Sequence, residues 1–175
     1  MQSLISVLPV ITALVVIDLE KFAKLAHNHG VPFIVDNTFA MQINCRPFEW
    51  GADIVTHSTT KYIDGHAMSV GGCIVDSGNF DWTANADKFP GLTTPDDSYH
   101  GVAYTDKFGK AAFIMKATAQ IMRDLGSSQA PQNAFSLLPH RNFLLLYGTA
   151  KKHLLRFDLD RHPKIQTMIV PVVTG

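Results

Sequence analysis

An α/β fold with a largely parallel sheet is what this 175-residue sequence predicts. Three observations predict it. Short apolar runs, VPFIVD at 31–36, DIVTH at 53–57 and VGGCIVD at 70–76, have the length and composition of buried strands. Helical periodicity precedes the first run after Asp18, and a longer helical pattern, AAFIMKATAQIMRDLG, follows at 111–126. Alternation of the two patterns marks helices packed on parallel strands.

The N-terminal stretch MQSLISVLPVITALVVI is apolar but has no Lys or Arg ahead of the apolar part and no clear small-residue cleavage site, so it does not read as a signal peptide. A spanning helix takes about 20 apolar residues, and this shorter run is interrupted by Pro9. Val10, Ile11, Val15, Val16 and Ile17 are β-branched and favour a buried strand. Asp18 is placed to cap a helix whose apolar side is Leu19, Phe22, Ala23 and Ala26, with Gly30 and Pro32 closing it. NTFAMQINCRPFEWGA reads as a loop with a short helix ending near Gly51. Residues 77–110, including FPGLTTPDDSYHG, are too aromatic for a linker and read as a long ordered loop. The helix at 111–126 places Phe113, Ile114, Ala117, Ile121 and Leu125 on one face and stops at Gly126. A second helical stretch covers about 133–155, weakened by Pro139 and Gly148, and the tail HPKIQTMIVPVVTG resembles the start of a strand.

Composition is that of a soluble globular domain, 46% hydrophobic and 17% charged, with fifteen basic residues balancing fifteen acidic ones. Nucleic acid and anionic membranes select basic surfaces, so neither is an expected partner. Cys45 and Cys73 form no C-x-x-C pair, which argues against structural zinc and for buried free thiols in a reducing cytosol.

Ligands of open parallel sheets bind beyond the carboxyl ends of the strands. Asp36 ends one strand, and Lys61 lies just past the end of the next. If those strands are neighbours, an acid and an amine meet on one edge. Pyridoxal phosphate has that requirement, a lysine for its aldehyde and an acid for its ring nitrogen. Ser58 and Thr60, beside Lys61, carry hydroxyls suited to a phosphate. The same spacing also fits an acid and a lysine that merely cap helices or pair at the surface.

Two other motifs compete. Ser58-Thr59-Thr60-Lys61 satisfies the S-x-x-K of penicillin-recognising acyl-transferases, but the partner motifs S-D-N and K-T-G do not occur and a strand leads into Ser58. His27-x-His29 invites a metal, yet no acid stands at a ligand spacing and H-E-x-x-H does not occur, so no metal site is expected. His66 and His100 are read as core histidines rather than cleft residues.

VPFIVDNTFA, GADIVTHSTTK and VGGCIVDSGNFDW resemble the cystathionine γ-synthase-like enzymes of cysteine and methionine metabolism. FPGLTTPDDSYHGV and the helix ending in MRDLG resemble, more narrowly, their O-acetylhomoserine sulfhydrylase branch. The resemblance implies the large cofactor-binding domain of the aspartate-aminotransferase fold (fold type I), incomplete here, with pyridoxal 5′-phosphate as cofactor. It implies that Lys61 is the Schiff-base and acid–base lysine, that Asp36 holds the pyridinium, and that Ser58 and Thr60 bind the phosphate. The implied reaction is γ-replacement on O-acetylhomoserine with sulfide or a thiol, giving homocysteine or methionine in the cytoplasm.

The resemblance is strong from about Val16 to Phe135. It divides the chain into a poorly matching segment 1–16, a partial cofactor-binding domain 17–135, and a segment 136–175 combining a degenerate helix with the start of a C-terminal domain. No counterpart is seen for the family's glycine-rich phosphate turn, its ring-stacking tyrosine, its intersubunit Tyr–Arg motif or its carboxylate-binding arginine. Asp64 and Ala67 stand where the family usually has glycines, and a left-handed backbone there would penalise Ala67, and Asp64 less. These departures lead us to expect an isolated chain of low activity, to doubt a productive homo-oligomer, and to weigh a non-catalytic remnant that acts by associating with full-length homologues.

Overall fold

The computed structural model of the protein describes residues 4–7, 17–65 and 68–137. Four strands, β1 (Leu4–Val7), β2 (Phe33–Asp36), β3 (Ile54–Ser58) and β4 (Gly72–Asp76), lie side by side in chain order. β1, β2 and β3 are parallel, whereas β4 runs antiparallel to β3. The 59–71 connection holds one π-helical turn, Thr59–Ile63, and not the crossover helix that a parallel return takes. β1 lies ahead of the β-branched cluster; of that cluster Val10–Val16 lie outside the described residues, and Ile17 is not in a strand.

Helix α1 (Leu19–Asn28) begins as expected: the Asp18 carboxylate accepts the Lys21 N–H at 3.1 Å, satisfying a helix-end donor. Leu19, Ala23 and Ala26 are buried against Phe33, Val35 and Val55 of the sheet, while Phe22 sits at the margin, stacked on Phe33. Gly30, at φ +58°, turns the chain into β2 in a conformation that penalises any residue with a Cβ. A helix α2 (Met41–Asn44) and a 3₁₀ turn (Pro47–Trp50) fill the β2–β3 connection and end at Gly51.

Successive residues of a strand face opposite sides. Val55 accordingly joins the α1 side, and Ile54 joins a second core with Trp82, Phe89, Leu92, Tyr104 and Ala112. That second core comes largely from the segment expected to be a loop. It is ordered but more helical than its composition suggests, with α3 (Pro90–Thr93), a 3₁₀ turn (Asp97–Tyr99) and α4 (Tyr104–Phe108). Its aromatic residues explain the order: Trp82 stacks on Phe113 at 5.6 Å and meets Phe89 edge-on at 5.0 Å.

Helix α5 (Ala112–Lys116) continues through a π-helical turn (Ala117–Met122) and Arg123–Leu125 to Gly126. Phe113 of its apolar face packs on the second core, but Ile121 and Leu125 are 46% and 72% exposed. Residues 131–137 are helical; the rest of the stretch expected at 133–155 and the strand-like tail lie outside the described residues. Among the described residues no helix is long and apolar enough to cross a membrane.

Candidate active site

Parallel pairing of β2 and β3 puts both carboxyl ends on one edge of the sheet. Asp36, the last residue of β2, pairs with Thr56, and β3 runs on through His57 and Ser58 into the turn that carries Lys61. The Asp36 Oδ1 atom accepts two bonds from one residue, the Thr38 N–H at 3.0 Å and the Thr38 hydroxyl at 2.6 Å. The same hydroxyl oxygen accepts the Ser58 N–H at 2.8 Å. The two strand ends are thus bound together directly at the edge. Asn37 reinforces the join: it is fully buried, its N–H goes to Thr56 C=O at 2.9 Å, and its side-chain amide donates to Cys45 C=O at 2.9 Å.

Lys61 is exposed, and its backbone leaves the helical region at φ −86°, ψ −115°. It opens on a hollow of about 330 Å³ lined by Phe39, Lys61, Tyr62 and Gly65. Phe39 and Tyr62 meet edge-to-face there at 5.7 Å. Of the two hydroxyls expected to serve a phosphate, that of Thr60 is engaged within the protein: it donates to Gly71 C=O at 3.3 Å and accepts the Gly71 N–H at 3.0 Å. Ser58 bonds through its backbone N–H, and its hydroxyl has no partner among the described residues.

His57 is buried, its Nδ1 has no partner among the described residues, and burial lowers its pKa despite the opposing pull of the Asp36 carboxylate. It is therefore a neutral imidazole beside a carboxylate at neutral pH. Of the two thiols, Cys45 is buried, and burial pushes it up to about 11, which makes it a packing residue rather than a nucleophile. Cys73 is exposed, contrary to expectation, because β4 is an edge strand with open flanks.

The histidines divide. His27 Nε2 donates to the buried Asp53 carboxylate at 2.8 Å, and His29 Nδ1 donates to Leu25 C=O at 2.8 Å, while both imidazoles stay exposed at the end of α1. His100 is exposed at φ +58°, beside the Tyr99 ring, and is not a core residue. His66 lies outside the described residues. Among the described residues no group of three His, Cys, Asp or Glu side chains is placed to hold a metal.

Three contributors escaped the sequence reading: Thr38, Gly71 and the Phe39–Tyr62 pair. A signal for Thr38 existed, since an Asp two residues ahead of a Thr is a pattern for local side-chain-to-backbone bonding. Gly71 and the aromatic pair depend on contacts distant in sequence and had none.

Comparison with known proteins gives the family. A model of the Cys/Met metabolism PLP-dependent enzyme family matches residues 9–140. The homocysteine/cysteine synthase of Kluyveromyces lactis is 48% identical over 132 residues, covering 75% of this chain and 30% of that protein. The O-acetyl-L-homoserine sulfhydrylase of Leptospira meyeri is 40% identical over 168 residues, covering 89% of this chain and 37% of that one. A crystal structure from Campylobacter jejuni, described as an O-acetylhomoserine (thiol)-lyase with N′-pyridoxyl-lysine-5′-monophosphate, superposes with a TM-score of 0.75 at 31% identity, covering 83% of this chain and 35% of that one. The chain spans about a third of the length of these relatives. With the model match running through β2, β3, β4 and the turn that bears Lys61, the chain belongs to the Cys/Met metabolism PLP-dependent enzyme family.

Proposed function

We propose that residues 17–135 carry the aspartate and lysine of a pyridoxal 5′-phosphate site, and that the protein serves γ-replacement on O-acetylhomoserine with sulfide or a thiol in the cytoplasm. The observation that carries the reading is the shared edge: Asp36 and Lys61 follow the carboxyl ends of adjacent parallel strands. The donor set fits the cofactor. A protonated pyridine nitrogen seeks a carboxylate, and both recorded bonds of Asp36 go to Oδ1. An aldehyde seeks a primary amine, and Lys61 is exposed beside a hollow walled by two aromatic rings. When bound, the cofactor supplies an electron sink for carbanion chemistry on an amino acid.

The chain's own residues have distinct tasks in this reading. Asp36 keeps the ring nitrogen protonated, a charged hydrogen bond worth about 1.5–3 kcal/mol. Lys61 is the attachment amine and moves the protons at Cα and Cβ of the substrate, for which Nζ must shed its own proton. Ser58 offers a hydroxyl to the phosphate. Thr60 offers one only by giving up Gly71 C=O. Phe39 and Tyr62 keep water from the Lys61 side. The experiment is a titration of the purified chain with pyridoxal phosphate, followed by assay for sulfide-dependent homocysteine. Near-visible absorption that vanishes in Lys61→Ala supports the site; folded protein that never develops it refutes the reading.

A second reading has its own observation. Ile74 and Val75 of β4 are 48% and 42% exposed, an apolar edge strand open to pairing. Here the chain acts by joining a full-length homologue. Co-purification with that homologue, and no turnover by the chain alone, distinguishes this reading from the first.

A further inference from the structure

The turn that carries Lys61 is closed at its far end by the buried Asp64, whose Oδ2 accepts the Met68 N–H at 2.8 Å and the Ser69 N–H at 3.4 Å. Within it, Gly65 N–H bonds to Lys61 C=O and Asp64 N–H to Thr59 C=O, both at 2.9 Å. Its entry is fixed from outside, by Gly71. The Thr59 N–H donates to Gly71 C=O at 3.0 Å, and Thr60 Oγ1 bonds both the N–H and the C=O of Gly71. The position of residues 69–71 therefore sets the position of Thr59 and Thr60, and through them the lysine.

Residues 129–136 hold that segment on its other side. Asn133 Nδ2 donates to Val70 C=O at 2.9 Å. The Ser136 hydroxyl donates to Asn133 C=O at 2.8 Å and lies 2.8 Å from the Ser69 hydroxyl. Ser136 has one hydroxyl proton and gives it to Asn133, so Ser69 is the donor of the second bond. Gln129 presses on Gly71 itself. A Cβ at position 71 would stand 2.6 Å from Thr59 Oγ1 and 2.9 Å from Cδ and Nε2 of Gln129. Thr59 Oγ1 and Gln129 Nε2 are also buried without partners among the described residues, which is uncommon and marks the seam where the two segments meet.

We infer that residues 129–136 act as a strap that positions Lys61, with Asn133 as the positioning residue and Gly71 as the point through which it bears. This inference rests on the cofactor reading above and adds to it a role for a segment remote in sequence. Asn133 touches no reacting atom. It fixes the Val70–Gly71 peptide that orders Thr60, and so sets where the Lys61 amine stands.

The test is reductive labelling of the full chain. Protein is incubated with pyridoxal phosphate, reduced with borohydride, and the modification at Lys61 is read by peptide mass spectrometry against exposed Lys110 as internal standard. Wild type is expected to label Lys61 in preference to Lys110. Asn133→Ala lowers the Lys61 to Lys110 ratio about tenfold, the scale of a small misplacement of a reacting group. Asn133→Gln, which keeps an amide donor, recovers part of it, and Gly71→Ala moves the ratio the same way as Asn133→Ala. A general loss of structure alters both lysines together, so the ratio isolates positioning; Gln129→Ala is a milder variant should Gly71→Ala fail to fold. Equal ratios in wild type and Asn133→Ala overturn the strap while leaving the cofactor site standing. A wild type without preference for Lys61 overturns both.

Discussion

Asp36 and Ser58, on neighbouring strands, are joined by one hydroxyl: Thr38 Oγ1 donates to Asp36 Oδ1 at 2.6 Å and accepts the Ser58 N–H at 2.8 Å. Thr38→Val keeps the shape and removes both bonds. The Ser58 N–H then loses its acceptor in a partly buried place, at a cost of about 1–3 kcal/mol. Urea unfolding is expected to show that loss, and pyridoxal phosphate is expected to bind more weakly because Asp36 keeps only the backbone N–H of residue 38 and loses the shorter hydroxyl bond. An unchanged urea midpoint with unchanged cofactor affinity would show the bridge to be incidental.

Asp96 organises the loop of residues 96–102. It accepts the Lys116 ammonium at 2.6 Å and the N–H and hydroxyl of Ser98, and these partners, Lys116 foremost, hold its pKa at about 2, below the ordinary 3.8. The folded chain therefore releases this proton more readily than the unfolded chain. The resulting stability is fully present above the ordinary value and is lost as pH falls through the folded one. Asp96→Asn is expected to flatten the acid limb of thermal stability between about pH 4 and pH 2. An acid limb identical to wild type would contradict the assignment.

His57 works at milder acidity. Burial favours its neutral form, so the unfolded chain takes up a proton below the ordinary value of 6.5 before the folded chain does. Its contribution is intact above that value and declines as pH drops below it. His57→Leu removes the protonation and the unpartnered Nδ1 together. Its melting temperature is expected to fall less than wild type's between pH 7 and pH 5. A steeper fall than wild type's would show that His57 is not held neutral. Asp36→Asn in the same series removes the carboxylate that favours the charged imidazole, and is expected to push the transition further toward acid.

The edge bearing Asp36 and Lys61 was legible because strand runs closed by polar residues announce their own ends, and two parallel strands share an edge by construction. The α1 cap at Asp18 was legible for a similar reason, being a bond within one turn. What stayed hidden is non-local. Cys73 and the apolar residues of β4 look buried by composition, and their exposure follows from β4 lying last in the sheet with its faces left open among the described residues. The Thr60 hydroxyl looked available until Gly71, eleven residues on, was seen to occupy it. Trp82 and Phe89 form a core with Ile54 and Phe113 because the 77–110 segment, β3 and α5 converge, and composition alone showed only that the region was too aromatic for a linker.

Asp64 tests that contrast directly, because the sequence suggested a position made for glycine. Its backbone is right-handed, at φ −72° and ψ −36°, so a Cβ is not penalised there. The side chain is fully buried, and its Oδ2 accepts the Met68 N–H at 2.8 Å and, at 3.4 Å, the Ser69 N–H. Asp64→Gly leaves those donors without an acceptor, at about 1–3 kcal/mol, and adds about 0.5–1 kcal/mol of backbone entropy where the chain is helical. Asp64→Asn keeps an oxygen for Met68 and replaces the unpartnered Oδ1 by a donor, so it is expected to lose less. The order of urea midpoints should be Asn above Gly, with the loss in Gly accompanied by faster proteolysis between Lys61 and Gly71. A glycine variant as stable as wild type would mean that the turn after Lys61 is held by its backbone alone and that the buried carboxylate contributes nothing to it.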